Sequence, residues 1–77
     1  MRIMTLNANG IRAAHRKGFF DYLKEENFDV VCLQEIRAHT EQLKDPAYFP
    51  DGYHCYYHSA QRKGYSGVAI YLSLIHI

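Results

Sequence analysis

Glu35 follows an apolar run without a break, in Asp29-Val30-Val31-Cys32-Leu33-Gln34-Glu35. Val30 to Leu33 are consecutive apolar residues, and the two valines are β-branched, which predicts a strand covered on both faces. Such a strand excludes polar groups until it ends. Gln34 and Glu35 therefore stand at its carboxyl end, where open α/β sheets place their ligand sites. A second polar cluster closes an earlier strand pattern, where Ile3, Met4 and Leu6 lead into Asn7-Ala8-Asn9-Gly10. His54, Cys55 and His58 suggest zinc by residue type alone. The spacing argues against it, because two histidines four apart on a strand lie roughly 13 Å apart and Cys55 points to the opposite face.

The elements that position these groups follow from local pattern. Asn9 is the expected N-cap of a helix beginning at Ile11, its side-chain oxygen accepting an orphan N–H. Ile11 and Ala14 share one face. After a break at Gly18, Phe19, Phe20 and Leu23 supply a second buried stripe. Asn27 is expected to close the helix in the left-handed conformation, with Glu25 and Glu26 solvated. Strand, helix, strand in this spacing predicts a right-handed βαβ unit with parallel strands. Their carboxyl ends then share one sheet edge, so Asn7 and Glu35 can meet if the strands are neighbours.

Ala38 to Gly52 reads as a connection with a short helical piece at Glu41 to Lys44, kept short by Pro46 and Pro50. Tyr53 to Ala60 alternates, with Tyr53, Cys55 and Tyr57 on one face and His54, Tyr56 and His58 on the other. Gln61 to Ser66 is a predicted hairpin loop, and Gly67 to Leu72 returns as an apolar strand. That strand needs cover on both faces, more than one helical layer supplies, so the chain reads as part of something larger.

The totals narrow the choices. Seventy-seven residues make at most one small domain, burying only roughly 60% of its unfolded surface. Nine Lys+Arg against eight Asp+Glu give a net charge of +1, so bulk charge argues for neither a nucleic-acid nor a membrane partner. An anion site must come from local placement, as in Arg12/His15/Arg16/Lys17 or Arg62/Lys63. Cys32 and Cys55 sit inside strand patterns and are expected to be free thiols of a reducing compartment. The absence of a signal-like opening and of any membrane-length apolar run predicts a cytoplasmic protein.

Three motifs in order carry a family resemblance: Asn7-Ala8-Asn9-Gly10-Ile11-Arg12-Ala13, Leu33-Gln34-Glu35 and Gly64-Tyr65-Ser66-Gly67-Val68-Ala69. Together they resemble the exodeoxyribonuclease III family of apurinic/apyrimidinic endonucleases, over residues 1–71. The resemblance implies an α/β (α+β) fold, part of a DNase I-like four-layer αββα sandwich: a βαβ unit followed by a β-hairpin, incomplete. It also implies metal-assisted hydrolysis of DNA phosphodiesters at abasic sites and 3′ ends, with Mg²⁺ (or Mn²⁺) as cofactor. Glu35 resembles the metal-binding glutamate. Mg²⁺ is a hard cation that takes carboxylate oxygen and keeps several waters for substrate phosphate. Asn7 resembles the asparagine on the catalytic and metal side, where an amide that donates and accepts suits positioning. Arg12 with Ala13 resembles the backbone-contacting pair, and Tyr65 with Gly64 the loop that grips double-stranded DNA. Asn9 stands where relatives often carry aspartate.

The resemblance places the family's histidine base and its partners later than this chain reaches, so the chain alone is expected to be inactive, and its parent monomeric. Residues 72–77 carry none of these motifs and are expected to be a foreign tail on a fragment. The runner-up is a nucleic-acid-binding regulator that keeps the nuclease fold without chemistry. Phosphoesterases of the same superfamily acting on phosphoinositides or sphingomyelin also keep the strand-end Asn and Glu, but have no reason for Arg12 and Tyr65.

Overall fold

Gly18 divides the first helical run in two. In the computed structural model, which describes residues 1–60 and 66–76, β1 spans Ile3–Asn7, α1 Ile11–Arg16, α2 Phe19–Glu26 and β2 Val30–Gln34. Gly18 sits at φ 91°, a conformation glycine adopts without steric cost, and turns the chain into α2. Asn27 ends α2 at φ 53°, as expected, its N–H donating to Leu23 O. The other end of the run differs from expectation. Gly10, not Asn9, is the N-cap of α1, and no side chain caps it. The orphan N–H groups are taken instead by the chain after β2, since Gly10 N–H donates to Glu35 O and Ile11 N–H to Ile36 O, each at 2.9 Å. Glu26 also departs from the solvated reading: it pairs with Arg2 at 3.0 Å, whose guanidinium lies over the Phe28 ring.

Short 3₁₀ turns at Thr40–Gln42 and Pro46–Tyr48 interrupt the connection to β3 (Tyr53–His58), and β4 (Val68–Ser73) follows. Asp45 caps the second turn by accepting from Ala47 N–H at 2.9 Å. The sheet order is β1-β2-β4-β3. β1 and β2 are parallel, and β4 lies antiparallel to both β2 and β3. Leu72 and Ser73 are thus the last paired residues of the sheet, with Leu72 opposite Val30 on one side and His54 on the other.

The helices cover one face of this sheet. Ile11, Phe19, Phe20 and Leu23 bury themselves with Val31, Leu33, Ala69 and Tyr71, the alternate residues of the two central strands. Tyr71 is fully buried. Its hydroxyl pairs with that of Tyr57, which in turn donates to Tyr48 O, so the polar atoms of this aromatic core are satisfied. Burial raises the pKa of both phenols, and each stays neutral through the physiological range. Cys55, half-buried on the same face, is pushed up to about 11 by desolvation. Both cysteines are free thiols.

The opposite face is open. Ile3, Tyr56, Val68 and Ile70 are exposed there, while Val30 and Cys32 are only half-buried. Within the described residues the second face of β2 has no layer against it, because α1 and α2 both return to the same side, as expected of a chain with one helical layer. No helix among the described residues is long and apolar enough to cross a membrane.

Candidate active site

Parallel pairing brings two polar strand ends together. Asn7 lies opposite Gln34 in the register, and Ala8 N–H extends the ladder to Gln34 O at 2.8 Å. One residue on, the Asn7 Nδ2 amide donates to Glu35 Oε2. The other carboxylate oxygen, Oε1, accepts from Arg37 Nη2 at 2.8 Å. Asn7 Oδ1 faces its own turn and accepts the Asn9 N–H at 3.0 Å.

This arrangement needs an unusual backbone. Glu35 and Arg37 both sit at positive φ, 51° and 52°, at a cost of about 1–2 kcal/mol per L-residue. Four backbone hydrogen bonds hold the segment there. Two come from the start of α1, as above; the others run from Ile36 N–H to Gly67 O (3.2 Å) and from Arg37 N–H to Ser66 O (2.7 Å). The buried Ile36 side chain anchors the segment between them. The carboxylate is thus presented by a clamped loop and not by the strand itself. Left-handed residues held by their surroundings are a pattern found at functional sites.

The electrostatics favour the ionised form. The Asn7 hydrogen bond and then the Arg37 hydrogen bond hold the Glu35 carboxyl below its ordinary value of 4.5, outweighing desolvation, with the Arg37 charge adding least. The side chain keeps 38% of its surface in solvent. An anionic, solvent-reachable carboxylate with one fixed amide neighbour fits a hard cation that retains most of its waters. Among the described residues no three His, Cys, Asp or Glu side chains cluster as a metal cage, and Glu35 is the carboxylate that the strand ends present. Asn7 would orient it, with one lone pair of Oδ1 still available.

The pairing sets a pH dependence. Because the folded pKa is depressed, the stability it contributes is complete above the ordinary value and is lost as pH falls through the folded pKa. Arg37→Gln is expected to move the Glu35 titration upward, toward 4.5, followed by the carboxyl ¹³C shift. The stability gap between the variant and the parent should narrow on acidification below that pH, and a gap unchanged with pH would contradict the pairing.

Arg12 and Ala13 lie in α1 beside this loop. With Gly10, Arg16 and Arg37 they line a surface hollow of about 430 Å³. A second hollow, about 390 Å³, runs from Asn7, Ala8 and Asn9 past Ala13 to Lys17. Gly64 and Tyr65 lie outside the described residues. Ser66 and Gly67, which follow them, reach the site through their carbonyls. Arg37 is the residue that sequence reasoning missed. Its signal was a positive charge two positions beyond the key carboxylate, which an ordinary surface arginine shows equally.

Comparisons with known proteins show the family. Residues 4–74 match the Endonuclease/Exonuclease/phosphatase family. An exodeoxyribonuclease of Bacillus subtilis is 43% identical over 72 residues, which is 92% of this chain and 27% of that protein. The catalytic domain of Xenopus laevis APE2 superposes with a TM-score of 0.74 at 39% identity, over 95% of this chain and 23% of that one. A Neisseria 3′ phosphatase bound to a product DNA hairpin superposes with a TM-score of 0.74 at 26% identity, over 94% of this chain and 27% of that one. The chain thus spans about a quarter of the length of these relatives. With the family matched across almost all of its residues and the corresponding quarter of the relatives' fold reproduced, this chain belongs to the endonuclease/exonuclease/phosphatase family.

Proposed function

We propose that this chain carries the metal-binding side of a DNA-repair nuclease site, which hydrolyses phosphodiesters beside abasic sugars and at 3′ ends with Mg²⁺. The observation that carries the reading is the Glu35 carboxylate, held ionised between Asn7 and Arg37 next to an arginine-lined hollow. The names of its relatives, an exodeoxyribonuclease and an apurinic/apyrimidinic endonuclease, support a DNA substrate, as does the DNA hairpin in the Neisseria structure.

In this reading Glu35 holds Mg²⁺, Asn7 positions Glu35, and Arg12 with Ala13 meets the DNA backbone, with Gly64 and Tyr65 as further contacts. A bound Mg²⁺ would supply charge stabilisation to the phosphoryl and leaving oxygens. The residues of this chain orient the carboxylate and bind the strand. None of them is assigned as the base that activates water, so the 77-residue chain alone is expected to bind without turnover.

A chimera tests the reading. Residues 4–74 replace the matching segment of the Bacillus exodeoxyribonuclease, and incision of an abasic duplex is followed with Mg²⁺ and with a chelator. Incision that needs Mg²⁺ is expected. A folded chimera that binds the duplex but never incises it would favour the silent, nucleic-acid-binding reading instead.

A further inference from the structure

Arg16 and Arg37 have no part in the reading above beyond the Glu35 contact, yet both line the same hollow as Arg12. Arg12 and Arg16 are four apart on α1, one above the other on a single helix face. Arg37 arrives from the clamped loop, whose neighbouring carbonyls accept the first N–H groups of α1. No acidic residue lines the hollow. Among the described residues, neither Arg12 nor Arg16 has a salt-bridge partner, and Arg37 bonds Glu35 through Nη2, one of its donor nitrogens. Arg12 and Arg16 line the hollow without an ion-pair partner among the described residues, and Arg37 keeps donors beyond the one that Glu35 takes, so a bound anion would be favoured there. Guanidinium forks match phosphate oxygens in pairs.

We propose that Arg12, Arg16 and Arg37 form a seat for one backbone phosphodiester, and that Arg37 is shared between this seat and Glu35. The proposal rests on the nuclease reading for the identity of its ligand. Sharing has a consequence. Glu35 engaged with a cation no longer holds Arg37 by its full charge, and the arginine fork turns to the seated phosphate. Phosphate in the seat likewise draws Arg37 off the carboxylate and frees Oε1. The two sites therefore reinforce each other, and the coupling is reciprocal. Arg37 is a positioning residue here, acting on the metal side only through Glu35.

The test is a nuclear magnetic resonance titration of the ¹⁵N-labelled 77-residue chain with the thymidine dinucleotide, which carries a single phosphodiester, and separately with inorganic phosphate. Saturable shifts are expected at the Gly10 and Ala13 amides and at the Nε–H groups of Arg12, Arg16 and Arg37. Arg16→Gln and Arg37→Gln should each weaken dinucleotide binding about tenfold, the loss of one charge-assisted hydrogen bond. Lys24→Gln, on α2 and facing a different hollow, should change it by less than about twofold. Added Mg²⁺ should tighten dinucleotide binding about fivefold in the parent chain and leave Arg37→Gln unmoved. Arg37→Lys, which keeps the charge without the fork, should lose most of that coupling.

Equal weakening by Lys24→Gln would overturn the seat in favour of general charge. Binding of inorganic phosphate alone would overturn the phosphodiester assignment. An Mg²⁺ effect that survives in Arg37→Gln would overturn the sharing. No bond is cleaved in these measurements, so failure of the chimera to incise leaves the seat standing, and absence of the seat leaves the chimera result standing.

Discussion

Glu35→Gln in the chimera is expected to lower Mg²⁺-dependent incision by about two to three orders of magnitude, the several kcal/mol that a metal ion contributes to phosphoryl charge stabilisation. The substitution keeps size and shape and removes the charge. It also disturbs the cradle, because Oε2 faces a donor on Asn7 and Oε1 a donor on Arg37. An amide has only one acceptor oxygen, so in either orientation its NH₂ meets another donor. Loss of activity should therefore come with weaker Mg²⁺ binding, while the unfolding midpoint barely moves, since the carboxylate is partly in solvent and such surface changes stay within about 0.5 kcal/mol. Glu35→Asp retains charge but draws the carboxylate back by one methylene, and should recover Mg²⁺ binding only in part. If Glu35→Gln kept more than about a tenth of parental incision, the metal would have to be held elsewhere.

The second large effect is on stability, at a residue to which no metal or DNA contact has been assigned. Gly67→Ala is expected to destabilise the fold by about 2–4 kcal/mol. Gly67 sits at φ 91°, and a Cβ there would lie 2.8 Å from Ile36 Cγ1 and 3.3 Å from His58 O. The isoleucine side chain can give way a little, but the His58 carbonyl belongs to β3 and cannot. Two penalties add: the positive φ for an L-residue, and overpacking against a buried side chain. Gly52→Ala separates them. Its φ is 87° with nothing within 4 Å of the added Cβ, so it should cost only the backbone part, about 1–2 kcal/mol. Urea unfolding of the two variants reads the difference. Gly67→Ala should also loosen the bond from Ile36 N–H to Gly67 O, which helps to hold the Glu35 loop. A Gly67→Ala cost no larger than that of Gly52→Ala would remove Ile36 as the clamp of the site.

The open sheet face bears on any work with the isolated chain. Ile3, Tyr56, Val68 and Ile70 lie exposed on it, and β1 and β3 are edge strands. Both features favour association between chains, so the titrations above belong at low protein concentration.

Local pattern was sufficient for much of the fold. Period-two burial in β3 and the βαβ order are written in side-chain type and spacing, and so is the left-handed Asn27 stop. Parallel strands end on the same edge by topology, so Asn7 and Glu35 were expected to meet once β1 and β2 were neighbours, and that adjacency is what the structure added. Other features depend on contacts between residues far apart in the chain. Glu26 finds Arg2 because β1 runs beside the end of α2. The start of α1 is capped by Glu35 and Ile36 carbonyls, not by Asn9, since those carbonyls lie within reach only after β2 has paired with β1. The positive φ of Glu35 and Arg37 has no sequence signal, because neither residue favours it. The clamp from α1 and Gly67 imposes it. That clamp places Arg37 on Glu35 and beside Arg12 and Arg16. The strand-end glutamate was thus determined by the sequence alone, whereas its pairing with Asn7 and Arg37 was decided by the tertiary structure, because long-range backbone hydrogen bonds hold Glu35 and Arg37 at a positive φ that neither favours.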